Sequence, residues 1–241
     1  MPVRISADIM PGDELDVVIL EAAGQKIQNG DVLVVAHKIV SKAEGRIVSL
    51  ADVKPSSKAV KMAKEHGKDP RIMELILNES VQILRAEGGI IVSETKHGLV
   101  CANAGVDQSN IKGDSAVLLP VDPDESASRL KDAVKKKADK DIAVVITDTF
   151  GRPFREGQTN VAIGVAGFNP IKSYVGSTDM YGRKLKVSEI AVADEIASAA
   201  ELVMGKSEGV PVAIIRGYRL EKSGTPSAKS LQRSKERDLF R

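Results

Sequence analysis

The sequence predicts an α+β fold, with mixed or antiparallel sheets and packed helices. Strand-like and helix-like segments mix without a strict β-α rhythm, and no Gly-x-Gly-x-x-Gly or Gly-Lys-Ser/Thr motif follows a strand, as it would in a doubly wound nucleotide-binding fold. With 241 residues, 42% hydrophobic and 28% charged, the chain can bury a full core. We read residues 1–241 as one domain, with the acidic "DPDE" at 122–125 able to mark a junction of two subdomains near 120–125.

From the N-terminus, "DELDVVILEAAGQ" (13–25) has a helical pattern with Asp13 in the N-cap position, and "DVLVVAH" (31–37) is an apolar strand. "AHKIVSKAEGR" (36–46) is a basic stretch at that strand's end, with an ordinary basic loop as the plain alternative. "SSKAVKMAKEHG" (56–67) follows Pro55 and stops at Gly67, so both helix ends are chemically marked. "PRIMELILNESVQIL" (70–84) reads as a helix. "GIIVSET" (89–95), "GLVCA" (98–102) and "AVLLP" (116–120) read as strands bounded by Gly, Pro or Asp.

"DPDESASRLKDAVKKKA" (122–138) is helical, and "DIAVVITD" (141–148) and "VAIGVAG" (161–167) are buried strands. "SEIAVADEIASAAELVMG" (188–205) is a helix with Ser188 as cap and an Ala-rich packing face, and "VPVAIIRG" (210–217) is the last core strand. The basic "SAKSLQRSKERDLFR" tail predicts a docked helix sharing Leu231, Leu239 and Phe240 on one face.

Charge and composition remove whole classes of function. The 35 basic and 33 acidic side chains give a net charge of +2, no bulk attraction for nucleic acid or anionic membrane, and aromatics at 3% supply few stacking platforms. No apolar run reaches the roughly 18 residues of a membrane span, and the N-terminus has no apolar signal core. The single Cys101 rules out an internal disulfide and fits a reducing, cytoplasmic setting.

Three polar clusters follow apolar strands. Asp148 and Thr149 offer a carboxylate and a hydroxyl oxygen where "DIAVVIT" ends, the donor types of half a site for a hard cation. A capped turn is the plainer alternative. Arg152 and Arg155, with Gly151 and Gly157, describe a loop that handles anions, unless they form surface ion pairs with Glu156.

"CANAGVDQSN" (101–110) ends in Asn103, Asp107 and Asn110, so that Asp107 and Asp148 can clamp one or two divalent ions; an Asx-rich turn is the alternative. Lys38, Lys42 and Arg46 are point charges suited to phosphates, or simply an exposed basic loop. His37, His66 and His97 have no zinc-ligand spacing, and no Gly-x-Ser-x-Gly elbow is present.

Taken in order, "HKIVSKAEGR", "NAGVDQSN", "ITDTFGRPFREGQTNVAIG", "DMYGRKL" and "GVPVAIIRG" resemble the coenzyme F-420 γ-glutamyl ligase family. The five matches run from residue 37 to residue 217. The resemblance implies a homodimeric cytoplasmic enzyme, active over its single domain, that joins L-glutamate to the carboxylate of the F-420 precursor with GTP and a divalent cation, Mg²⁺ or Mn²⁺, and it allows a monovalent ion such as K⁺. It implies metal ligands at Asp107, Asp148 and Thr149, and nucleotide contacts at Ala7, Asp8, Ile9, Met10, His37, Lys38, Lys42 and Asn110. Lys206, Ser207 and Gly209 fall in the matching loop before the last strand, Lys42, Arg152 and Arg155 become the catalytic cations, and Asp179, Tyr181 and Arg183 are weaker substrate contacts.

Two departures stand out. The compressed "MGKSEGVP" (204–211) has neither the usual Gln nor acidic ligand, which leaves Glu208 to bind a second metal or Lys206 to replace that cation's charge. The N-terminal "ADIMPGDEL" lacks the family's Leu-Pro start. Two other readings are a ligase acting on another carboxylated acceptor and a non-catalytic protein that binds nucleotide or deazaflavin.

Overall fold

The computed structural model describes residues 1–221 and 224–239. Its elements run β1 (Pro2–Val3), α1 (Leu15–Ala23), β2 (Val32–Ala36), α2 (His37–Ala43), β3 (Ile47–Ser49), α3 (Ser57–His66), α4 (Pro70–Glu79), β4 (Ser80–Glu87), β5 (Ile90–Thr95), β6 (Val100–Ala102), β7 (Ser115–Val117), α5 (Pro123–Ala138), β8 (Ala143–Arg152), β9 (Arg155–Ala166), β10 (Lys172–Ser173), β11 (Glu189–Ile190), α6 (Val192–Met204) and β12 (Val212–Ile215). The fold is α+β.

The central sheet has the order β1-β12-β2-β8-β9, and β2/β8 is its parallel pair. The unbroken apolar run of β2 follows from burial on both faces. Leu33 and Val35 join Val144 and Ile146 in a core under α1 and α5. Val32 and Val34 join Val145 and Phe168 in a second core under the alanine-rich face of α6. Period-2 alternation therefore sorts residues between two layers of helix rather than between core and water.

A third core lies between β3 and β7. Met73 and Ile76 of α4 pack with Ala59 and Ala63 of α3 against Ile91 of β5 and Leu50. Ser56 caps α3 by accepting from the Ala59 amide at 3.2 Å, and Gly67 ends it in the left-handed region at φ 64°. Asp69 caps α4 by accepting from the Arg71 amide at 2.8 Å, with Pro70 at its start.

Several expectations are corrected. The helix expected over 70–84 stops at Glu79, and Ser80–Glu87 becomes a strand paired antiparallel with β5 through the Gly88-Gly89 turn. Ladder pairing outweighs the helical spacing of Val81, Ile83 and Leu84. Asp13 does not cap α1; its carboxylate accepts from the Met10 amide at 2.8 Å, and Glu14 holds the cap position.

The basic stretch after β2 is helix α2 rather than a loop. Ser188 precedes a two-residue strand, so α6 begins at Val192. The C-terminal helix is replaced by 3₁₀ turns at Ala228–Leu231 and Lys235–Arg237, and Phe240 lies outside the described residues. No helix among the described residues is long and apolar enough to cross a membrane.

Candidate active site

The parallel register pairs Ala36 with Thr147 as the last rung of the β2/β8 ladder. The next residue on each strand is His37 and Asp148. Beyond that rung β2 turns into α2, whereas β8 continues as a hairpin with β9. Divergence of neighbouring strands at their carboxyl ends opens a crevice, the place where such sheets take ligands. Here it is a cavity of about 620 Å³.

Five separate chain segments close it: residues around Asp8, the α2 start, the 107–110 turn, β8/β9, and the loop after α6. The loop is drawn in because the Ala36 amide donates to the Pro211 carbonyl at 2.9 Å and the Ile5 amide to the Gly209 carbonyl at 3.2 Å. Asn110 turns its segment toward the loop in a left-handed conformation, φ 57°, which Asn tolerates, and its amide nitrogen donates to the Lys206 carbonyl at 3.3 Å.

The charges are laid out in pairs. His37 Nε2 stands 3.2 Å from Asp148 Oδ1, with the imidazole only 3% exposed. Burial alone would raise the Asp148 carboxyl, but the charge and hydrogen bond of His37, together with the Thr149 amide donating at 2.6 Å, hold it below the usual carboxylate range.

Asp107 is pushed up by burial and brought below the usual range by Lys38, whose ammonium lies 2.7 Å from Oδ2, and by the Ser109 amide at 2.7 Å. The two aspartates also act on each other, Asp107 opposing the ionisation of Asp148. Both residues line the one cavity. Lys42 lies 3.0 Å from Asp8, which Lys112 reaches from its other oxygen at 3.0 Å; hydrogen bonds from Lys42 and then Lys112 hold that carboxyl low.

Of the residues picked from sequence, Ala7, Asp8, Ile9, His37, Lys38, Lys42, Asp107, Asn110, Asp148, Thr149, Lys206, Ser207 and Gly209 line this cavity. Four others do not. Met10 is exposed and spends its amide on Asp13. Glu208 folds back on its own loop, accepting from the Ser207 amide at 2.8 Å. Arg152 and Arg155 flank the two-residue Pro153-Phe154 turn of the β8/β9 hairpin, where Phe154 takes φ 61° and the Arg152 guanidinium donates to the Gly157 carbonyl at 3.3 Å. The expected anion loop is thus a projecting hairpin.

Sequence reasoning missed Gln158, Asn160 and Ser109, which also line the cavity. Asn160 accepts from the Thr149 hydroxyl at 2.7 Å and fixes its rotamer. The signal was period-2 spacing: Gln158 and Asn160 share one face of β9.

Asp107, Asp148 and Thr149 supply hard oxygens, and both carboxylates are held ionised, which fits a divalent cation. No group of three His, Cys, Asp or Glu side chains that could hold a metal occurs among the described residues, so any ion here would take its remaining ligands from hydroxyls, water or substrate.

The family model described as F420-0:Gamma-glutamyl ligase matches residues 4–217. The chain is 48% identical over 237 residues to the Coenzyme F420:L-glutamate ligase of Methanothermobacter thermautotrophicus, covering 95% of this chain and 93% of that one. It is 45% identical over 244 residues to the protein of the same name from Methanopyrus kandleri, covering 100% and 96%. Identity to the Methanocaldococcus jannaschii protein of that name is 44% over 217 residues, covering 89% and 86%. An ordered set of motifs, an α+β fold and a full-length match lead to one conclusion: the chain belongs to the F420-0:γ-glutamyl ligase family.

Proposed function

We propose that this protein is a cytoplasmic GTP-dependent ligase that adds L-glutamate to the deazaflavin coenzyme F-420 precursor. The observation that carries the reading is the meeting of Asp107 and Asp148, from distant segments, in one cavity that Lys38, Lys42 and Lys206 also face. Ionised carboxylates beside ammonium groups suit a triphosphate bound with its counter-cation.

A carboxylate is a poor acyl donor until one oxygen is made a leaving group. The acceptor carboxylate therefore attacks the γ-phosphorus of GTP, the bond to the β-phosphate oxygen breaks, and GDP leaves with the formation of an acyl phosphate. The glutamate amine then attacks the acyl carbon, inorganic phosphate departs with its bonding electrons, and the nitrogen sheds a proton to leave an amide.

In this reading Asp107 and Asp148 would hold the divalent cation, which would neutralise phosphate charge, while the Thr149 hydroxyl beside them accepts from Lys206. Lys42 steadies the phosphates, its bond to Asp8 fixing the ammonium until nucleotide arrives. Backbone around Ala7 to Ile9, with Lys38, Asn110, Ser207 and Gly209, encloses the nucleotide. Arg152 and Arg155, outside the cavity, are left for the carboxylates of glutamate or the deazaflavin tail. A homodimer belongs to the same reading.

Incubating the protein with the precursor, glutamate, GTP and Mn²⁺ should give a deazaflavin heavier by one glutamyl residue and one GDP per amide. A deazaflavin of unchanged mass overturns the proposal.

A further inference from the structure

Three ammonium groups face the cavity, and they are not equivalent. Lys38 is matched to Asp107 and Lys42 to Asp8, in each case to a carboxylate. The Lys206 ammonium donates instead to the Thr149 hydroxyl, a neutral oxygen, and pairs with no carboxylate among the described residues. Its main chain is tied down by Asn110.

Glu208, the carboxylate of the 204–211 loop, is turned to the Ser207 amide and stands outside the cavity. That leaves two aspartates lining the cavity, Asp107 and Asp148, where a phosphate-bound divalent ion takes one or two carboxylates. The ammonium already sits on the oxygen a second ion would need, and two cations repel strongly at that range.

We propose that Lys206 takes the place of a second metal ion: the site loads one divalent cation per chain, and the Lys206 ammonium provides the other positive charge to the nucleotide's phosphates. The inference rests on the GTP reading above. An ammonium suits the task because it brings three donors on a flexible stem and carries its charge without competing for water ligands.

The test is Mn²⁺ stoichiometry by electron paramagnetic resonance and equilibrium dialysis on the full chain with a non-hydrolysable GTP analogue. Wild type should bind one Mn²⁺ per chain. Lys206→Gln, which removes the charge and offers an amide oxygen, should bind two, with dipolar broadening of the signal. Lys206→Met should keep one ion and bind the analogue about tenfold more weakly, the loss expected for one charge-assisted contact. Since Lys206 is exposed, thermal melts should show all three proteins folded. Two ions on wild type overturn the lysine assignment alone. Wild type that binds neither analogue nor Mn²⁺ overturns the GTP reading and this inference together.

Discussion

His37 holds Asp148 from within the sheet: a nearly buried imidazole nitrogen, 3.2 Å from the carboxylate, brought there by the register of two parallel strands. His37, which the resemblance marks for the nucleotide, thus also touches the carboxylate proposed as a metal ligand, and it orients that carboxylate for whatever binds the opposite oxygen. Loss of such a partner usually costs 10- to 100-fold in metal affinity. His37→Ala should therefore weaken Mn²⁺ binding by about that factor, measured by dialysis, with ligase turnover falling in parallel. Asp148→Asn should go further and reduce amide formation at least about 100-fold, with the melting temperature little changed.

Asp31, which is buried, and Asp194, which is half-buried, should respond to pH with opposite signs. Asp31 is 1% exposed; burial raises its carboxyl, but Arg216, donating at 2.7 and 2.8 Å, brings it below its ordinary value of 3.8. Its contribution is complete above 3.8 and is lost as pH falls toward the folded value. Asp31→Asn should cost about 2 kcal/mol at pH 7, discounted for the partly exposed arginine, and almost nothing in strong acid.

Asp194 is the converse, raised above 3.8 by burial while the Ala162 amide, donating at 2.9 Å, pulls it down. Its contribution is complete below 3.8 and is lost as pH rises through the folded value. Asp194→Asn keeps that acceptor oxygen, so it should melt higher than wild type at pH 7 and equal to it in acid. Urea melts at pH 3 and 7 check both variants.

Gly164 sits where β9 crosses the start of α5. A Cβ there would stand 2.3 Å from the Pro123 carbonyl oxygen, and the neighbouring Val165 amide is bound to Asp124 at 2.8 Å. Neither chain can yield without breaking that contact. Gly164→Ala should destabilise by about 3 kcal/mol, whereas Gly151→Ala, with nothing within 4 Å, should be close to neutral.

Cys101 lies buried in β6, and burial, helped by the Asp148 charge, pushes its thiol up to about 12. Iodoacetamide at pH 8 should leave the native protein unlabelled and modify one thiol after denaturation. Rapid native labelling would mean that β6 opens.

Four of the five strands of the central sheet were legible because short apolar runs ending in polar residues obey local rules, whereas much of the cavity lining was named only through the family resemblance. Asp107, Asp148 and Thr149 stand where such runs stop. The His37–Asp148 contact was not legible, since it depends on which rung of a parallel ladder comes last. The switch from helix to strand at Ser80 was hidden for a related reason: the apolar spacing of 70–84 satisfies a helix until β5 supplies a ladder partner. The position of Arg152 and Arg155 outside the cavity was not legible, because the β8/β9 hairpin runs on past the crevice to its Pro-Phe turn, and composition carries no record of how far a hairpin extends.

The sheet ends on a strand from the first residues, Pro2–Val3, hydrogen-bonded to Val212–Ala213 near the other end of the chain. Arg4, next along, donates to the Glu208 carbonyl in the very loop that carries Lys206. Asp107 and Asp148 therefore precede in sequence the strand that completes the pocket around them. Closure of the pocket should be a late step of folding, set by the docking of strand 212–215 between β1 and β2.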